Sequence, residues 1–296
     1  MARIHPTSFL LALALLSFSA LAQTSSETTL TAEEIMERVA ANQDRAQAER
    51  NHYLYMQHAR IFSRKGKTVI CEEITDSRIT PSSSGSHSDL LKLDGRLLRK
   101  SQYVTYTTPR DKKDKSAKDP DEFHDEDIDR DLVENMRSDL TNDKTKDGIA
   151  SRLFPLTFKD QSGYSFHLVG RDRKNGRDVF HITFQPKDKN DYAWKGDAYI
   201  DTVAFQPVAV STTLSRKIPF AVRTLLGTNL PGLGFNVVYE PQPDGIWFPV
   251  SFGTEFKLHV LFLFSREIIV DAQNRSFEKT HVTSQIVDVG ELAKPE

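Results

Sequence analysis

The stretch Ile246 to Ser265, IWFPVSFGTEFKLHVLFLFS, constrains the fold more than any other. Nine of its ten even-numbered residues are apolar and five are Phe, whereas Ser251, Glu255, Lys257 and His259 stand among the odd ones. A strand sends alternate side chains to opposite faces, so a period of two held this long predicts strand with one apolar face. Strands are usually far shorter than twenty residues, and Gly253 is the expected bulge or turn that breaks the run. Such a face is either the core of a sheet packing or the lining of a large curved sheet around something apolar.

The N-terminus reads as a leader. Arg3 precedes the apolar run Phe9 to Leu16, and Ala20-Leu21-Ala22 forms a small-x-small cleavage signal before Gln23. Residues 1–22 are therefore expected to be a cleavable secretory signal peptide, leaving 23–296 as the mature chain. No cysteine follows the apolar run, so no lipid attachment is expected. Cys71 is the only cysteine, which rules out a disulfide within the chain, so the fold must rest on its core. A net charge of −2 gives no footprint for nucleic acid.

Beyond the leader a helix is predicted from Thr31, whose hydroxyl and Glu34 three residues on make a capping box. Ile35, Met36, Val39 and Ala40 form its apolar stripe. Strands are expected at 53–62 and 68–75 around an Arg64–Lys67 turn, followed by a flexible loop at 81–88 and a hairpin turn at Asp94-Gly95. Residues 107–131 carry mixed charge and no hydrophobic period, which predicts a solvated loop insertion. Leu132, Val133, Met136 and Leu140 then recur at helical spacing, predicting a helix over 127–140, with a second through Ile149 and Leu153 up to Pro155. The remainder reads as strand: 164–170, 178–185, 196–201, 208–214, 235–239 and 277–287, with turns at Asn175-Gly176 and Asp244-Gly245.

Catalytic signatures are missing: there is no GxSxG, HExxH, CxxC or phosphate-binding loop. His124 to Asp127 lacks the spacing of a calcium loop. His52 and His58 would share a strand face, but no third metal ligand follows from spacing. Asp197 and Asp201 lie about 13 Å apart along a strand, too far for a glycosidase pair, and Asp201 reads as turn chemistry. Cys71 reads as a buried small residue. No catalytic residue, metal or cofactor is expected.

Three motifs in order, G176-RDVFHITFQP, W194-KGDAYID and F205-QPVAV, resemble the LolA/LolB-like superfamily of periplasmic lipoprotein carriers and their lipid-binding relatives. The helix at Leu30 to Asn42 and the strand at Asp244 to Val250 are similar to that family's elements. The resemblance implies a mainly β (α+β) domain over 23–296. It would be a single large curved antiparallel sheet of about eleven strands, forming an unclosed β-barrel, with a few helices covering an apolar cavity that takes acyl chains. No functional residue of the family falls on a matching position, and the 107–131 insertion is a departure from it.

On this reading the chain is a soluble periplasmic carrier or chaperone for a lipid or lipoprotein acyl chain, with envelope membrane proteins as further partners. The expected cavity lining is Phe248, Phe252, Phe256, Leu258, Phe262, Ile200, Val210 and Phe235, and the expected lids are Ile35 and Val39 on one helix and Leu132 and Met136 on the other. The alternatives are a structural or interaction module of the envelope with a self-filled cavity, and an enzyme using His52, His58 or His124.

Overall fold

A computed structural model describes residues 30–82, 85–110, 125–140, 156–189, 193–215, 228–229, 233–260 and 264–280. Among the described residues three helices, α1 (Ala32–Arg50), α2 (Asp125–Leu140) and α3 (Phe158–Gln161), accompany twelve strands. These are β1 (Tyr53–Lys65), β2 (Thr68–Ser82), β3 (Gly85–Arg99), β4 (Gln102–Tyr106), β5 (Tyr164–Lys174), β6 (Arg177–Pro186), β7 (Trp194–Asp201), β8 (Pro207–Leu214), β9 (Thr228–Asn229), β10 (Gly234–Pro241), β11 (Trp247–Val260) and β12 (Phe264–Lys279). They form one antiparallel sheet in the order β4-β3-β2-β1-β12-β11-β10-β8-β7-β6-β5, with β9 beside β11. The sheet is curved and does not close: β4 and β5 are its two edges. The chain passes from one edge to the other through the segment that carries α2 and α3, and its last strand returns to the middle beside β1.

One row of paired residues runs across the sheet from β5 to β3: Leu168, Ile182, Ala198, Val210, Val237, Phe252, Ala272, Ala59, Thr75 and Leu93. From Ile182 to Leu93 every member is buried. This is the inner face, and strand alternation puts His58, His181 and Asp197 on the other. The next row reads Phe184, Gly196, Thr212, Phe235, Thr254, Val270, Ile61, Glu73, Gly95 and Tyr106.

Both long helices lie on the inner side. In α1 the capping box forms as predicted, with the Thr31 N–H donating to Glu34 at 2.8 Å and the Glu34 N–H to Thr31 Oγ1 at 3.2 Å. Ile35, Met36, Val39 and Ala40 are fully buried. Phe205 stacks 6.0 Å from inner-face Phe180 and beneath Arg38 of α1, tying the helix to the β5–β8 half. Asn42 donates to the carbonyls of Ala204 and Phe205, and Arg50 to that of Trp247. α2 covers the β1–β3 half instead.

Several local expectations fail, each for a visible reason. The chain runs straight through Asp94-Gly95 within β3, and the hairpin turn falls at Lys100-Ser101, both at positive φ. Gly95 serves packing: a Cβ there would lie 2.2 Å from the Tyr106 ring, which crosses over it from β4. Residues 81–82 and 85–88 belong to β2 and β3, and so are strand and not loop. Gly253 breaks nothing, pairing with Asn236 on one side and Asp271 on the other. The irregularity in β11 lies at Val250, where the register to β10 shifts and Trp247, Phe248 and Pro249 are all buried in succession. β12 begins at Phe264, ahead of the strand expected over 277–287, because Arg266 and Asn274 on its inner face disguise the period of two, and residues 281–287 of that expectation lie outside the described residues. The predicted helix through Ile149 and Leu153 lies outside the described residues, as do His124 and the leader. Residues 125–131 of the charged segment are helix, and Asp129 within it is fully buried.

Candidate functional site

The inner face has a sealed part and a part open to solvent. Under α1 and along the central row the residues are sealed: Ile200, Val210, Phe248 and Phe252 are each 3% exposed or less. Phe248 sits in an aromatic cluster with Tyr53 (4.9 Å), Tyr55 (6.3 Å) and Phe277 (4.6 Å). Towards the far end of β11 the inner positions Phe256 and Leu258, opposite Ile268 and Arg266, are only half-buried. Phe235 and Trp194 are also half-buried. Their rings meet edge-on at 4.9 Å, and Phe235 continues to Phe252 at 5.4 Å. The structure thus strings Trp194, Phe235 and Phe252 into an aromatic strip, with Phe256 and Leu258 following on the same face. Of the expected lining residues, Phe262 lies outside the described residues.

The lid positions divide. Ile35 and Val39 are fully buried within α1, whereas Leu132 and Met136 of α2 are half-buried. The face that α2 turns to the sheet is centred on Asp129, Val133 and Arg137, and it docks by charge. Asp129 accepts from Arg266 Nε at 2.8 and 2.9 Å and from Ser63 Oγ at 2.6 Å. Arg137 Nε donates to Glu73 at 2.7 Å, and Tyr106 Oη donates to the same carboxylate at 3.1 Å. Arg130 lies over the Tyr106 ring at 3.8 Å and donates to Glu134 at 2.8 Å. A buried carboxylate is tolerated only when paired and hydrogen-bonded, and both Glu73 and Asp129 are. A charge run gives no sequence signal of this kind, so these residues escape sequence reasoning.

The candidate catalytic groups do not assemble. His52 lies in the turn before β1 and not on its face. His58 pairs on the outer face with Asp76 at 2.9 Å. Asp197 pairs there with His181 at 2.7 Å. Asp201 makes the predicted turn, its Oδ1 accepting from the N–H groups of Val203 (2.9 Å) and Ala204 (2.8 Å) and its Oδ2 from Arg177 at 3.0 Å. Burial works to raise its carboxyl, but these donors outweigh it and hold the group below the usual aspartate value. Burial pushes the Cys71 thiol up to about 12, against the opposing hydrogen bond with Tyr106, so it is a packed side chain and not a nucleophile. Among the described residues no cluster of three or more His, Cys, Asp or Glu is placed to hold a metal ion.

The chain matches no protein-family model and no curated protein. Solved structures similar to it include a DUF1329 family protein from Desulfovibrio piger, at TM-score 0.38 and 12% identity over 89% of this chain and 95% of that one. An outer-membrane lipoprotein-sorting protein domain from Vibrio parahaemolyticus follows at TM-score 0.37 and 12% identity, over 86% and 95%. A LolA superfamily protein from Nitrosomonas europaea stands at 0.34 and 11%, over 84% and 93%. At such TM-scores, ligand and chemistry have to be read from this chain's own residues.

Proposed function

We propose that the protein is a non-catalytic carrier of a lipid or lipoprotein acyl chain, exported to the periplasm by the leader at 1–22, with 23–296 as its single domain. The observation that carries this reading is the half-exposure of Trp194, Phe235, Phe256 and Leu258 on the inner face, where the neighbouring central row is sealed. Aromatic and aliphatic side chains left open on the helix-bearing side of an unclosed sheet supply a surface for an apolar chain. Burying that chain contributes about 0.8 kcal/mol per CH₂, so affinity needs no charged group. Phe248, Ile200 and Val210 stand behind this surface as its packed wall, and Leu132 and Met136 of α2 flank it.

Phe256→Gln tests the assignment. Because Phe256 is only half-buried, the variant should unfold within about 1 kcal/mol of the parent, as expected for a change outside the sealed core. Its uptake of a fluorescent fatty acid should fall roughly tenfold through lost apolar contact. Undiminished uptake would exclude Phe256 from the lining. A docking role on an envelope protein is the second reading, favoured by the exposed Leu91 and Val104 on β3 and β4, which are 54% and 51% accessible.

A further inference from the structure

The aromatic strip has beside it a buried polar atom that no described residue satisfies. Thr212 on β8 projects from the inner face between Gly196 of β7 and Phe235 of β10, directly opposite both. It is 3% exposed, and among the described residues its Oγ1 has no hydrogen-bond partner. Thr254, the next hydroxyl in the same row, donates instead to the Gly234 carbonyl at 2.6 Å. The position facing Thr212 on β7 carries no side chain, and the one facing it on β10 carries the Phe235 ring. A Cβ on Gly196 would lie 1.9 Å from the Ser211 carbonyl oxygen, and one on Gly234 would lie 2.4 Å from that of Thr212. Backbone crowding thus requires glycine at position 196, whereas Gly234 pairs with Thr213 and belongs to the other face. Trp194, two residues before Gly196, reaches across β8 to Phe235 at 4.9 Å, so the edge-on ring pair lies beside the hydroxyl. Buried hydroxyls are almost always hydrogen-bonded, and one left without a partner next to a ligand surface marks a place for a ligand atom.

We propose that Thr212 Oγ1 donates a hydrogen bond to the oxygen at the head of the bound chain, the carboxyl or ester carbonyl of an acyl group, with Trp194 and Phe235 parting to admit it. The assignment rests on the carrier reading and deepens it: the inner face takes an acyl chain by its carbonyl end, and distinguishes it from a bare hydrocarbon. The apolar remainder then extends along Phe235, Phe256 and Leu258.

The test compares Thr212→Val and Thr212→Ser with the parent, using palmitic acid and hexadecane as competitors of a bound apolar dye. Valine has the shape of threonine without the hydroxyl, and removing an unsatisfied buried polar atom does not destabilise the free protein, so its unfolding midpoint should not fall. The Val variant is expected to lose roughly five- to tenfold in palmitic acid affinity, the size of one net hydrogen bond, and to keep its hexadecane affinity. The Ser variant should retain most of the preference for the acid. Equal palmitic acid affinity in the parent and the Val variant, or equal loss of both competitors, overturns the Thr212 assignment alone. A parent that takes up neither overturns the carrier reading and the assignment together.

Discussion

At the scale of single residues, environment rather than residue type decides what each polar group does. Cys71 is fully buried between Ser63 and Leu97, with Tyr106 Oη at 3.4 Å from its sulfur. With its thiol raised to about 12, native protein at neutral pH should react with a maleimide at least a hundredfold more slowly than protein in denaturant. Comparable rates in the two states, followed by mass, would show that the β2–β3 region opens readily. Asp201 makes the opposite case. Its carboxyl is held below the usual aspartate value in the folded state, so its contribution to stability is complete above the ordinary value near 4 and is lost as pH falls through the folded value. Asp201→Asn keeps an oxygen for the Val203 and Ala204 N–H groups and removes only the charge facing Arg177, which is itself 41% exposed. The variant should therefore be less stable by about 1 kcal/mol or less at neutral pH, the size of a partly solvated pair. Denaturation midpoints should converge on the parent's as pH drops below about 4. A gap that widens in acid would reverse the assigned sign.

At the scale of elements, the two long helices are attached by different physics. α1 is held by an apolar stripe and by amide contacts to the Ala204–Gln206 turn, and its capping box and stripe were legible because both are local patterns. The turn at Asn175-Gly176 was legible for the same reason, with both residues at positive φ. α2 is held by Asp129 on Arg266 and Arg137 on Glu73, partners separated by 137 and 64 positions in the chain, and no local pattern announces such pairs. Gly95 shows the same limit: the ring that demands it belongs to the next strand, so an Asp-Gly pair reads as a turn when seen alone. Breaking one half of a buried pair leaves an uncompensated charge, so Asp129→Ala should cost about 3–5 kcal/mol. Replacing both partners, Asp129→Leu with Arg266→Met, should cost markedly less than that single change. Denaturant titrations of the three variants check this, and a double variant as unstable as Asp129→Ala would mean that α2 needs the charges themselves.

At the scale of the whole molecule, an open sheet of this size faces a problem that a closed barrel or a sandwich does not. Its inner face has no second sheet, so helices or a ligand must cover what the strands leave bare. The alternation in Phe252 to Leu258 foretold that face, and the paired register from β5 to β3 places it on one side of a single sheet. The polarity of the β1–β3 half was not foretold. There Ser63, Glu73 and Thr75 interrupt an otherwise apolar inner face made by Ala59, Ile61, Cys71, Leu93 and Leu97. On the proposed reading an acyl chain would lie along the half-buried Phe235, Phe256 and Leu258, with the charged dock of α2 as its boundary. Native mass spectrometry of the protein expressed with its own leader and recovered from the periplasm tests this most directly. The account predicts leaderless protein carrying the added mass of a lipid or acylated species, released when the chain is unfolded. Protein that is uniformly ligand-free, and stays so after incubation with fatty acid, would contradict it.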